Sequence, residues 1–80
     1  MKIIYIEWNE AVSVDGWSDT KEIEPELALI VTVGILIKET DDIITVGLNQ
    51  DITNEKHSCI MHIPKPWIKS KRIIKAKINK

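Results

Sequence analysis

Apolar and polar residues alternate along most of this chain with the period of two that a strand imposes, because successive side chains of a β-strand point to opposite faces. Residues 2–8, KIIYIEW, put Ile4, Ile6 and Trp8 on one face and Ile3, Tyr5 and Glu7 on the other. A long acidic and polar stretch follows, NEAVSVDGWSDTKEIEPE (9–26). It holds a turn signal at Asp15-Gly16 and room for one helical turn, capped by Ser18 or Asp19, through Ile23 and ending before Pro25. Residues 27–39, LALIVTVGILIKE, are the longest predicted strand, and Gly34 marks a place where a bent strand can kink or bulge. TDD turns the chain into IITVGLNQ (43–50), and the polar DITNEKH leads to SCIMHI (58–63), which completes a three-strand meander. Pro64 and Pro66 stop that strand, since neither can donate to a ladder. KPWIKS then fits one 3₁₀ turn, and KRIIKAKI (71–78) makes the last strand.

This order of elements predicts an all-β fold in one domain over residues 1–80. It resembles an SH3-like small five-stranded β-barrel, with a long first loop and a short 3₁₀ turn before the closing strand. Sixteen Ile, five Val and five Thr favour pleated strands over helices. Residues 27–37 are apolar on both faces. Leu27, Leu29, Val31, Val33, Ile35 and Ile37 are expected to line the barrel, which leaves Ile30 and Leu36 outside. A domain this small buries only about 60–65% of its unfolded surface, so another protomer is the expected cover and the chain is read as a homo-oligomer.

The net charge is −1, yet the charges are segregated. Residues 1–64 carry all twelve carboxylates against Lys2, Lys21, Lys38 and Lys56, a balance of −8. Residues 65–80 carry seven cations and no acid. Such blocks mark either an interaction surface or a basic strand laid against an acidic body. General DNA binding fits poorly with a body at −8, because phosphate binding follows the summed field. The lone Cys59 excludes an intrachain disulfide and suits a reducing compartment. No apolar run is long enough to span a bilayer and the start lacks a secretory pattern, so no membrane association is expected, and a cytoplasmic location is.

Three separated pieces, W…SVDGW (Trp8, then Ser13 to Trp17), VTVGILIKETDDIITVGL (31–48) and IPKPWIK (63–69), resemble a group of short proteins encoded by bacteriophages and prophages. Those proteins share a Gly-Trp after the first strand, a Ser/Thr-Val-Gly strand running into a charged turn, and an Ile-Pro-Lys segment near the end. The resemblance implies a phage accessory protein working in the host bacterial cytoplasm. It carries no catalytic residue.

Little in the chain points to a reaction. His57, Cys59 and His62 lie close in sequence, but period two sets His62 on the opposite face from the other two, so without a bulge they do not converge on one metal. Ser13 or Ser58, His62 and Asp15 can be assembled into a nucleophilic set only on paper, without a Gly-x-Ser-x-Gly elbow. Asp41-Asp42 and Glu24/Glu26 sit in predicted turns, where solvated charge explains them, and Gly16, Gly34 and Gly47 are too scattered for a phosphate loop. The reading is therefore a non-enzyme, with no catalytic residues, no metal and no cofactor.

Trp17 in the first loop and Trp67 in the 3₁₀ turn are expected to approach on one barrel rim and flank Lys65, Lys69 and Arg72. Aromatic faces with cations suit stacking of a base and pairing of a phosphate. These five residues are the candidate ligand site, and a solvated turn with a packed Trp67 is the structural alternative. With the phage resemblance they suggest a counter-defence sponge that sequesters an anionic, cyclic-nucleotide immune signal. A protein-binding module acting on a host or phage protein is the alternative, and a small nucleotide-acting enzyme is a third.

Overall fold

The computed structural model describes residues 1–13 and 15–75. Their elements run β1 (Lys2–Ala11), a 3₁₀ turn (Thr20–Glu22), β2 (Leu27–Glu39), β3 (Ile43–Asp51), β4 (Lys56–Pro64), a second 3₁₀ turn (Lys65–Trp67) and β5 (Ile68–Lys75). The described residues contain no α-helix, and none of their helical segments is long and apolar enough to cross a membrane. All five strands are antiparallel neighbours in one sheet of order β4-β3-β2-β1-β5. The expected all-β class and the position of the 3₁₀ turn before the last strand are as the pattern predicts. The sheet, however, is open: β4 and β5 remain its two edges and do not pair with each other. The Ala76–Ile78 part of the expected last strand lies outside the described residues.

One face of the sheet is buried, and β1 sits at its centre. Ile4, Ile6 and Trp8 pack with Ile44 and Val46 of β3 and Ile63 of β4, while Ile30, Leu36 and Ile68 cover the margins. The buried row on β1 is the one that the alternation predicts.

On β2 the expected faces are reversed. Pairing sets Ile4 opposite Gly34, Ile6 opposite Thr32 and Trp8 opposite Ile30, and directly paired residues share a face. The even-numbered residues of this half-strand therefore point inward. Leu27, Leu29, Val31 and Val33 point outward and are 65%, 53%, 54% and 56% exposed. Thr32 obscured this in the sequence, because a polar residue at the middle of the apolar run suggests the outer face. Its Oγ1 instead accepts the Trp8 Nε1–H at 2.9 Å, which satisfies the indole where it is buried.

β2 pairs with β1 from Leu27 to Ile35 but with β3 only from Ile35 to Glu39, with a bulge between Leu36 and Lys38. The first half of β2 and the far half of β3 thus diverge. They separate at Gly34 and Gly47, where the backbones come so close that a Cβ on Gly34 would lie 2.9 Å from the Gly47 carbonyl oxygen. A Cβ on Gly47 would in turn meet Ile37 Cδ1 at 2.8 Å. Because the first obstacle is backbone, Gly34→Ala is expected to destabilise the fold by about 1–3 kcal/mol, as overpacking does elsewhere. Urea denaturation checks this, and an unchanged midpoint contradicts the close passage.

Candidate functional site

The second 3₁₀ turn follows Pro64, with Pro66 inside its first turn where a missing N–H costs nothing. The Lys65 N–H donates to the Asp42 carbonyl at 2.7 Å, tying this turn to the β2–β3 hairpin. From it Trp67 folds back onto Trp8, ring centroids 6.4 Å apart and planes 16° from parallel. Trp67 is thus a lid on the buried indole and is itself 45% exposed.

Lys65 is taken up by the protein itself. Its Nζ lies 2.7 Å from Glu39 Oε2, and Lys71 Nζ reaches the same oxygen at 3.4 Å. Glu39 ends β2, so this three-way contact fastens the second 3₁₀ turn and β5 to β2, which neither element neighbours in the sheet. The Lys65 hydrogen bond, reinforced by the charges of Lys71 and Lys65, holds the Glu39 carboxyl below its ordinary value of 4.5.

Arg72 lies on the opposite side. It pairs with Tyr5, whose side chain faces away from the Ile4–Ile6–Trp8 row, and with Tyr5, Glu7, Ser70, Lys71 and Ile74 it lines an open groove of about 360 Å³. The Tyr5 hydroxyl donates to Glu7 Oε1 at 2.7 Å; that bond, then burial and the Glu7 charge, push the phenol above its usual value. Lys69 falls in the irregular step between the Glu7–Ser70 and Trp8–Ile68 pairs and is exposed.

Trp17 is fully exposed in the first loop, in a wide open hollow bounded by Gly16, Ser18, Asp19, Glu22, Ile23 and Glu24. Gly16 has φ +89°, a left-handed turn that suits glycine. The carboxylates around Trp17 make its immediate surroundings acidic.

The five sequence-selected residues are therefore distributed over three places within one chain. Trp67 and Lys65 sit by the second 3₁₀ turn, Arg72 on the outer sheet face, and Trp17 on the loop, with Lys69 at the edge between the first two. Tyr5, Glu7 and Ile74, which complete the outer groove with Arg72, were not selected from the sequence. Parity alone would have found them once β1 and β5 were paired. Near the cysteine, His62 Nδ1 sits 2.8 Å from Thr45 Oγ1, and Cys59 takes φ +56° at an exposed irregularity. Among the described residues no three His, Cys, Asp or Glu side chains are grouped as a metal site.

The Glu39 contact carries a pH dependence of definite sign. A carboxyl with a lowered folded-state pKa contributes stability that is present above its unfolded value and lost as pH falls through the folded value. Stability is thus expected to fall from just above pH 4.5 downward. Glu39→Gln should flatten that acid limb in urea melts taken across pH; an acid limb identical to that of the parent protein refutes the assignment.

Comparison with protein-family models, curated proteins and solved structures gives no match for this chain.

Proposed function

We propose that this protein is a non-enzymatic binding module that docks other protein through the outer face of its sheet, working as a homo-oligomer. The exposed row Leu27, Leu29, Val31 and Val33 carries this reading. Contiguous apolar surface on so small a domain marks an interaction site, because leaving it in water forgoes burial of about 25 cal/mol per Å². The strand order, the long first loop and the 3₁₀ turn support an SH3-like scaffold left open at one side. The resemblance to phage and prophage proteins supports an accessory role in the host cytoplasm.

A second reading, the sponge for an anionic nucleotide, draws on the outer groove, which Arg72 and Tyr5 line together. In that reading Trp17 and the cations would come from different protomers.

Val31→Lys places a charge in the middle of the row at an exposed position. It is expected to leave the circular dichroism spectrum and the melting temperature unchanged while abolishing co-purification of the docked protein. If every association survives Val31→Lys, or if the purified protein turns over a cyclic nucleotide, the binding-module reading is wrong.

A further inference from the structure

Two surfaces of this chain carry opposite charge and do not meet within it. Residues 15–26 of the first loop hold Asp15, Asp19, Glu22, Glu24 and Glu26 against Lys21, a balance of −4. Residues 65–75 hold Lys65, Lys69, Lys71, Arg72 and Lys75 with no acid. The loop leaves the sheet at Ala11 and Leu27, whereas the C-terminal part of β5 pairs with the opposite end of β1, Arg72 with Tyr5 and Lys75 with Lys2. Tyr5 and Ala11 are six steps apart along the strand, about 20 Å at 3.3 Å per step. Trp17 accordingly stands fully exposed on the acidic loop, although a groove with a basic and aromatic lining lies on the same chain.

Resting on the docking reading above, we infer that the occupant of the outer face is a second copy of this chain, packed face to face and antiparallel about a two-fold axis. In that arrangement the two β2 rows, Leu27 to Val33, cross each other at the centre. The loop end of each copy then lies over the far end of the other, so that each acidic loop meets the partner's β5 and each Trp17 reaches the groove beside Tyr5 and Arg72. The indole supplies an aromatic face for the guanidinium, and Ile74 an apolar floor. A two-fold makes both contacts at once, because an isologous interface repeats every pairing.

The area argues for the loop as part of the interface. The outer face of β5, β1 and β2, which are 8, 10 and 13 residues long, covers roughly 500 Å² at strand spacings of about 4.8 Å. A stable interface needs about 800 Å² per partner. The sheet face alone falls short, and a loop bearing Trp17, Ile23 and Val12, all exposed, supplies the remainder.

Sedimentation equilibrium on the full chain tests this. A dimer is expected at low salt and weakens as salt rises, since its rim is ionic. Reversing the loop (Asp19→Lys with Glu22→Lys) or the strand (Arg72→Glu with Lys75→Glu) should each raise the dissociation constant at least about fivefold. Joining both reversals in one chain should restore the dimer, a rescue that misfolding does not produce. Val31→Lys should give a folded monomer. Emission from Trp17, isolated in a Trp8→Phe, Trp67→Phe background that keeps its melting transition, should shift to the blue on dimerisation. A monomer at all concentrations overturns the inference, and so does a dimer indifferent to both reversals and to Val31→Lys. A monomer that still captures another protein in a Val31-dependent way overturns the second copy while leaving the docking module in place. A monomer that binds a cyclic nucleotide at Arg72 overturns both in favour of the sponge.

Discussion

The burial of Ile4, Ile6 and Trp8 depends on β3 and β4 curling over β1, although β2 lies between β1 and β3 in the sheet. Such a curl requires β2 to serve β1 along one half and β3 along the other. The strands change partners where two glycines let the backbones pass, with the Gly47 carbonyl filling the space a Gly34 side chain would take. The bulge between Leu36 and Lys38 completes the bend. That passage and the bulge let β3 and β4 reach over the row on β1.

Among the described residues the buried core is only six side chains, and specific contacts around the second 3₁₀ turn fasten it. There Trp67 closes over Trp8, whose indole is anchored to Thr32. Nearby, Glu39 gathers Lys65 and Lys71, so that the end of β2, the second 3₁₀ turn and β5 are joined by side-chain contacts. Part of the basic C-terminal charge is thereby committed to the fold. Arg72, which faces outward with Tyr5, takes no part in that contact.

The same accounting of faces explains the outer surface. A single curved sheet buries one side only, and this chain has apolar residues enough for more than one. Leu27, Leu29, Val31 and Val33 stay in water because the inner positions opposite β1 are already taken by Ile30, Thr32 and Gly34. That surplus, with an exposed tryptophan on an acidic loop and a basic strand at the far end, is the ground on which the face-to-face dimer is proposed.

The residue pattern alone was enough to define the elements. Period two, the β-branched content, the prolines after Ile63 and the turn residues placed five strands, one helical turn in the first loop and the 3₁₀ turn after Pro64 close to where these elements lie, since these are local preferences of backbone and side chain. The pattern also settled the face of β1, because Ile4, Ile6 and Trp8 outweigh their alternates. On β2 local pattern could not choose, as both faces are apolar; the decision fell to the register against β1 and to the hydrogen bond that makes Thr32 an inner residue. The candidate site was legible in its parts and not in its assembly. Lys65, Trp67 and Arg72 are close neighbours in the chain, yet a turn followed by a strand sends them to different sides, and it is the long-range pairing of β5 with β1 that joins Arg72 to Tyr5.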